Sequence, residues 1–184
     1  NRFLLISSFF LLVICSILFN EVITGKNVFL GPDSLSPKAV KAGIELAELK
    51  HESYPKWLPW VFSGLPSTHS FQNISHLYYP DKIFSLLISL GMPRFIEFFI
   101  HYVFLGLGMI LLLRELKLSK YASFFGGVSY MTMPYLITMI VHGHGSQVMT
   151  ACYIPWVIWS MIRLRYTPSL NSYALFSILV GFQL

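Results

Sequence analysis

Long apolar runs alternate with polar segments along the chain. Five runs are rich in Phe, Leu, Ile and Val and contain few charged residues. A helix that crosses a bilayer needs about 17 to 25 predominantly apolar residues, and the runs approach or reach this length. The pattern therefore predicts an all-α polytopic membrane protein with about five transmembrane helices. The predicted spans are 3–19, 95–113, 121–141, 148–162 and 173–184.

The composition supports this class. The chain is 55% hydrophobic and 11% charged, with a mean hydropathy of +0.63, whereas a soluble domain carries about 25% charged residues. Cys15 and Cys152 both lie in apolar runs, so they offer neither a disulfide framework nor a metal ligand set. Because the sequence starts without Met and ends inside an apolar run, we interpret it as a fragment of a longer protein.

Basic residues cluster in short loops between the predicted spans. Arg114, Lys117 and Lys120 lie between the second and third spans, and two more arginines lie between the fourth and fifth. The positive-inside bias places these loops in the cytoplasm. The N terminus is then cytoplasmic, and the segment 20–94 lies on the outer side. The net charge of +5 reflects this topology and does not indicate nucleic-acid binding.

The outer segment 20–94 contains two regions with local order. Ser36 is a candidate N-cap, and the residues that follow predict an amphipathic helix over 36–50 that lies along the membrane surface. A later stretch rich in Pro, Gly and Trp includes Trp57 and Gly64. Its composition is typical of an ordered loop that is anchored at the headgroup level by aromatic rings.

Asp33, in Gly31-Pro32-Asp33-Ser34, is the candidate catalytic residue. A carboxylate at a membrane surface can act as a general base that accepts a proton from an attacking hydroxyl. The alternative is structural, because Asp33 or Ser34 can stabilise a turn through hydrogen bonds between side chain and backbone. The residues alone leave both interpretations open.

His142, His144 and Gln147 form a second candidate group, in the turn between the third and fourth spans. The glycines of this turn allow the backbone to approach a ligand closely, and histidines can donate hydrogen bonds to a phosphate. Alternatively, the histidines simply end two helices at the membrane interface. Two histidines are too few for a closed zinc site, so no metal site is predicted here.

Glu97 and His101 form a third group with Arg94, at helical spacings of 3 and 4. Ionisable groups within a membrane usually face a bundle interior or a wet cavity. We therefore expect this face to line the same outer cavity as Asp33 and to contact substrate. The alternative is a local ion pair between Arg94 and Glu97 at the water boundary.

Several short motifs in a fixed order resemble a known family. The motifs are Gly31-Pro32-Asp33, Trp57-x-Pro59, Phe62-Ser63-Gly64-Leu65-Pro66, Leu112-Leu113-Arg114-Glu115-Leu116, and Gly143-His144 followed by Ala151-x-x-x-Pro155. Together they resemble the N-terminal part of the bacterial YfhO family of membrane proteins. That family is similar to the GT-C glycosyltransferases.

The resemblance implies a reaction and a place for it. GT-C enzymes take sugars from polyprenyl-phosphate carriers on the outer face of the cytoplasmic membrane, and here the acceptor would be a cell-envelope glycan or polymer. Asp33 would be the base. Our hypothesis adds that the turn from His142 to Gln147 lies near the donor phosphate and that the stretch from Trp57 to Pro66, with Trp57 and Gly64 as substrate contacts, shapes the acceptor side. GT-C enzymes often have a second acid in the later outer loop. This chain has no acid after Glu115, which argues against a divalent metal as cofactor.

Two other classes of function stay open. A transporter or flippase of a lipid-linked substrate would also need polar groups that face an outer cavity, and it predicts internal repeats and broken helices. The chain shows no repeat, although Gly126-Gly127 or Met133-Pro134 could interrupt the third span. A non-enzymatic protein of envelope assembly would use Asp33 only as a replaceable turn residue.

Overall fold

The computed structural model describes residues 2–27, 31, 35–53, 55–67 and 80–183, and these residues are mostly helical. The helices are α1 Arg2–Leu18, α2 Asn20–Ile23, α3 Leu35–His51, α4 Pro80–Ser89, α5 Ile96–Glu115, α6 Lys120–Met131, α7 Pro134–His142, α8 Gly145–Tyr166 and α9 Leu170–Gln183. Two short strands, β1 Trp57–Leu58 and β2 Leu65–Pro66, pair antiparallel. The all-α class is thus consistent with the described residues.

Two stretches are long and apolar enough to cross a membrane, judged by length and composition: α5, and the stretch Lys120–His142 that α6 and α7 form together. The helices α1 and α9 are apolar but shorter. On α1, large apolar side chains such as Leu5 and Ile17 are 72% and 71% exposed. An apolar surface of this kind suits contact with lipid.

Helix α5 is the centre of the bundle, where it contacts α1, α6 and α8. It approaches α6 closely, because a Cβ atom added at Gly127 would lie only 2.8 Å from the carbonyl oxygen of Gly106. Its contact with α8 includes Trp156, whose ring stacks on Phe104 at 4.5 Å and whose Nε1 donates to the Phe104 carbonyl at 2.8 Å. Small residues at close crossings and satisfied polar groups are typical of helix packing in membranes.

The third predicted span is interrupted. Helix α6 ends at Met131, and α7 begins at Pro134 in the first helical position. Proline lacks an amide hydrogen and clashes with the preceding turn, so it is well suited to the first position of a helix and unfavourable further inside one. The pair Gly126-Gly127 lies inside α6 without breaking it. Of the two candidate interruptions, only Met133-Pro134 separates helices.

Helix α3 and the hairpin form a small unit within the segment 20–94. Helix α3 begins at Leu35, slightly before the predicted cap at Ser36. It packs on the hairpin of β1 and β2 through a cluster of Ile44, Leu58 and Val61. Leu46 and Leu49, also on α3, are 68% and 81% exposed. The apolar residues of α3 therefore divide between the hairpin and an exposed surface that is suited to the membrane interface.

One buried hydroxyl leads to a stability prediction. The side chain of Tyr102 on α5 is fully buried, and its Oη has no hydrogen-bond partner among the described residues. A buried polar atom without a partner costs about 1 to 3 kcal/mol. We expect Tyr102→Phe to raise the free energy of unfolding by about 1 kcal/mol, measured by thermal or denaturant unfolding in detergent.

Tyr121→Phe, at a side chain that is 89% exposed, is the control, and it should change the free energy of unfolding little. A clear loss of stability in Tyr102→Phe would contradict the prediction.

Candidate functional site

The segment 20–94 meets the turn between α7 and α8 at Gly31. This residue is buried. A Cβ atom added there would lie 2.5 Å from the carbonyl oxygen of His142, and closer still to the carbonyl carbon of His142 and the amide nitrogen of Gly143. Only glycine permits backbones to approach this closely. The segment that contains the predicted base and the turn that contains the predicted phosphate contacts are therefore adjacent.

The turn itself has a defined geometry. Gly143 adopts a left-handed conformation, with φ at +98°, and ends α7. The amides of Gly143 and His144 donate to the carbonyls of Ile140 and Met139 at 3.1 and 2.9 Å, which satisfies acceptors at the end of the helix. The exposed ring of His142 has its Nδ1 2.8 Å from the Thr138 carbonyl. A carbonyl oxygen can only accept a hydrogen bond, so Nδ1 carries the proton of the neutral ring. Nε2 can then donate a hydrogen bond to a phosphate only when the ring is protonated to imidazolium.

Helix α8 begins directly after this turn, at Gly145. Ser146 and Gln147, in its first turn, are exposed. The first amides of a helix have no acceptor within the helix and form the positive end of its dipole, which favours an anion such as phosphate. Gly145 also packs against α5, because a Cβ atom there would lie 2.6 Å from Cε1 of Phe98.

Glu97 precedes Phe98, which contacts Gly145, and so lies at the same end of the bundle as the start of α8. Its side chain is half-buried, and the Asp81 carboxylate of α4 is close enough to repel it electrostatically. Arg94, the partner proposed in the alternative interpretation, is exposed. Asp81 could not be singled out from the sequence, because residues on separate helices have no periodic relationship.

His101 lies one turn further into the bundle. It is only 3% exposed, and its Nδ1 is 2.7 Å from the carbonyl oxygen of Glu97. Its ring packs near Phe84 of α4 and Tyr153 of α8, at centroid distances of 5.3 and 6.3 Å. The structure thus places His101 in the packing between three helices, whereas Glu97 is at their edge.

Trp57 and Gly64 lie together in the hairpin. Gly64 has a φ of +133°, and a Cβ atom there would lie 2.9 Å from Cε2 of the Trp57 ring. Trp57 is nevertheless 56% exposed, so much of its side chain is accessible. This pair belongs to the unit that packs on α3, a different part of the structure from the contact between Gly31 and His142.

Asp33 lies outside the residues that the structure describes, so its role as a base stays a prediction. Within the described ranges, no group of three or more His, Cys, Asp or Glu side chains is arranged to hold a metal ion.

The sequence analysis missed a recess at the end of α1. Its volume is about 460 Å³. Described residues that line it are Ile17, Leu18, Phe19, Asn20, Glu21, Val22, Asn27 and Ile137. The signal in the sequence was the close spacing of Asn20, Glu21 and Asn27 directly after an apolar run. Polar residues at the end of a span are common, however, so this spacing alone does not indicate a binding site.

Comparisons with family models, with curated proteins and with solved structures find no match to this chain. The resemblance of its motifs to the YfhO family therefore stays a prediction.

Proposed function

We propose that the chain belongs to a polytopic membrane glycosyltransferase. The enzyme would transfer a sugar from a polyprenyl-phosphate carrier to a cell-envelope acceptor on the outer face of the bacterial cytoplasmic membrane. The observation that most supports this proposal is the backbone contact between Gly31 and the peptide bond of His142 and Gly143. The motif resemblance to the YfhO family, and through it to GT-C enzymes, supplies the type of reaction.

The proposed topology has five spans. They are α1, α5, the broken pair α6 and α7, α8, and α9. The two stretches that are long and apolar enough to cross a membrane support the central part of this arrangement. With the basic loops in the cytoplasm, the contact between Gly31 and His142 lies on the outer side, where the lipid-linked donor would be presented.

Asp33 is the proposed base. Two peptide units separate it from Gly31, and this covalent link limits the distance between the two Cα atoms to about 7.6 Å. In the proposed step, the carboxylate takes the proton of an acceptor hydroxyl as the hydroxyl oxygen attacks the anomeric carbon. The new glycosidic C–O bond forms while the bond to the carrier phosphate breaks. The phosphate leaves with the bonding electron pair, and the anomeric centre is inverted.

The turn from His142 to Gln147 is the proposed site for the donor phosphate. Negative charge grows on the phosphate as it leaves, and donors fixed in advance stabilise that charge. The first amides of α8, the Gln147 side-chain amide and His144 would supply such donors, and His142 would do so as imidazolium. Glu97, at the same end of the bundle, is assigned to substrate contact. His101 was predicted to contact substrate as well, but its ring is buried, so we assign it to positioning the turn of Glu97, whose carbonyl oxygen lies 2.7 Å from its Nδ1. Trp57 and Gly64 are assigned to the acceptor side.

A flippase of a lipid-linked substrate is the second candidate. The observation that favours it is the break between α6 and α7 inside a stretch long enough to span a membrane, because transporters use broken helices near the midplane. A protein of envelope assembly without catalytic activity is the remaining alternative.

Reconstitution separates these functions. The protein would be placed in proteoliposomes with a radiolabelled polyprenyl-phosphate hexose and a cell-envelope acceptor fraction. Transfer of label to the acceptor supports the enzyme. Movement of the intact carrier between leaflets, without transfer, would instead support the flippase. Neither activity would be expected of an assembly protein.

A further inference from the structure

The polar side of the recess at the end of α1 is pre-organised. Oε2 of Glu21 accepts a hydrogen bond from Nδ2 of Asn27 at 2.6 Å. The backbone amide of Asn27 also donates to the carbonyl oxygen of Glu21, at 3.1 Å. The chain therefore folds back over α2, and it fixes a carboxylate and an amide side by side. Asn20 adds a second amide to the lining.

The other side of the recess is apolar and belongs to the bundle. Ile137 of α7 faces the end of α1 across it. The Phe19 ring, which also lines the recess, is held against Phe95 at 4.9 Å and Tyr102 at 5.1 Å between centroids. Ile17 and Leu18 connect the lining to the exposed apolar surface of α1. One wall is thus suited to hydrocarbon and the other to hydrogen bonding.

The charge of the recess excludes an anion as the preferred ligand. All 13 Lys and Arg residues of the chain lie among those that the structure describes, and none of them lines the recess. The single ionisable side chain among its described lining residues is the Glu21 carboxylate, which repels a phosphate. Two amides and a carboxylate offer both donors and acceptors, a combination that matches neutral hydroxyl groups.

We propose that this recess binds the neutral sugar headgroup of a glycolipid. Hydroxyl groups of the sugar would hydrogen-bond to Asn20, Glu21 and Asn27, and the hydrocarbon chain would lie along the outer end of α1. The volume of about 460 Å³ falls within the roughly 300 to 1,000 Å³ typical of small-molecule sites. Binding of this kind requires no transfer reaction, so the inference goes beyond the proposed function and does not depend on it.

Photolabelling with a simple glycolipid analogue tests the inference. The protein in nanodiscs of neutral lipid would be labelled with an alkyl glucoside that carries a diazirine on its alkyl chain, and labelled peptides would be mapped by mass spectrometry. We expect saturable labelling of the segment around residues 17–27 and near Ile137. Unlabelled alkyl glucoside should compete, whereas an alkyl phosphate with the same chain should not. Equal competition by the alkyl phosphate would overturn the proposal.

Two variants and a control complete the test. Glu21→Leu removes the carboxylate and should weaken the competition by alkyl glucoside about tenfold, as expected for the loss of one strong hydrogen bond. Ile137→Trp fills the recess and should abolish saturable labelling. Lys26→Ala, next to Asn27 but exposed and outside the lining, should leave labelling unchanged. Unchanged labelling in both Glu21→Leu and Ile137→Trp would also refute the site. If the unaltered protein shows saturable labelling but no sugar transfer, the proposed reaction is rejected and the glycolipid site in the recess is supported.

Discussion

Replacing Asp33 with asparagine is expected to lower sugar transfer by about 10²- to 10⁴-fold, the usual contribution of a positioned general base. Asparagine has nearly the same shape as aspartate, but its amide cannot take the proton of the acceptor hydroxyl. Carrier binding and thermal unfolding should therefore stay close to those of the unaltered protein. The measurement is single-turnover transfer from a polyprenyl-phosphate sugar in proteoliposomes, together with a binding assay for the carrier.

This substitution also separates the base from a turn residue. Asparagine stabilises turns as well as aspartate does, so a purely structural role would leave transfer almost unchanged. Ser34→Ala is the matched control, because Ser34 is the other residue that could stabilise the turn and has no part in the proposed chemistry. Transfer by Asp33→Asn within threefold of the unaltered protein would reject Asp33 as the base.

The second large effect is expected at Gly31. Even the single methyl group of Gly31→Ala would overlap the backbone of His142 and Gly143, and backbone atoms cannot rotate away as a side chain can. The two segments must then move apart. A displacement of about 1 Å at a reacting centre can cost about 10²-fold in rate, so we expect a loss of transfer of this size. The same rate assay measures it, with hydrogen exchange at the turn as a structural readout.

Gly181→Ala is the control for this substitution. A Cβ atom at Gly181 would meet no atom within 4 Å, so the same chemical change should have little effect there. We expect faster amide exchange around His144 in Gly31→Ala alone. Unaltered exchange at the turn and full transfer in Gly31→Ala would show that the two segments are not in contact.

The features that depend on local sequence could be predicted. The apolar runs predicted a helical chain, and the described residues are mostly helical. Met133-Pro134 was one of two candidate breaks, and proline chemistry explains why it separates α6 from α7. The two glycines of the other candidate pair instead lie inside α6, where glycine permits close packing against α5.

The features that depend on distant contacts could not be predicted. Gly31 and His142 are far apart in the sequence, and no periodic pattern relates them. Asp81 approaches Glu97 only because α4 packs on α5, and the strands of the hairpin are two residues long, too short to show an alternating pattern. The recess needs Ile137 of α7 against the end of α1. Each of these features results from tertiary packing.

The most direct test of the central claim is a structure of the protein in a lipid bilayer with a polyprenyl-phosphate sugar bound. We predict that the carrier phosphate lies at the turn from His142 to Gln147. The Asp33 carboxylate should then face the anomeric carbon across a gap that admits an acceptor hydroxyl, with the reacting atoms about 3 to 3.5 Å apart. A phosphate bound far from both Asp33 and His144 would contradict the account.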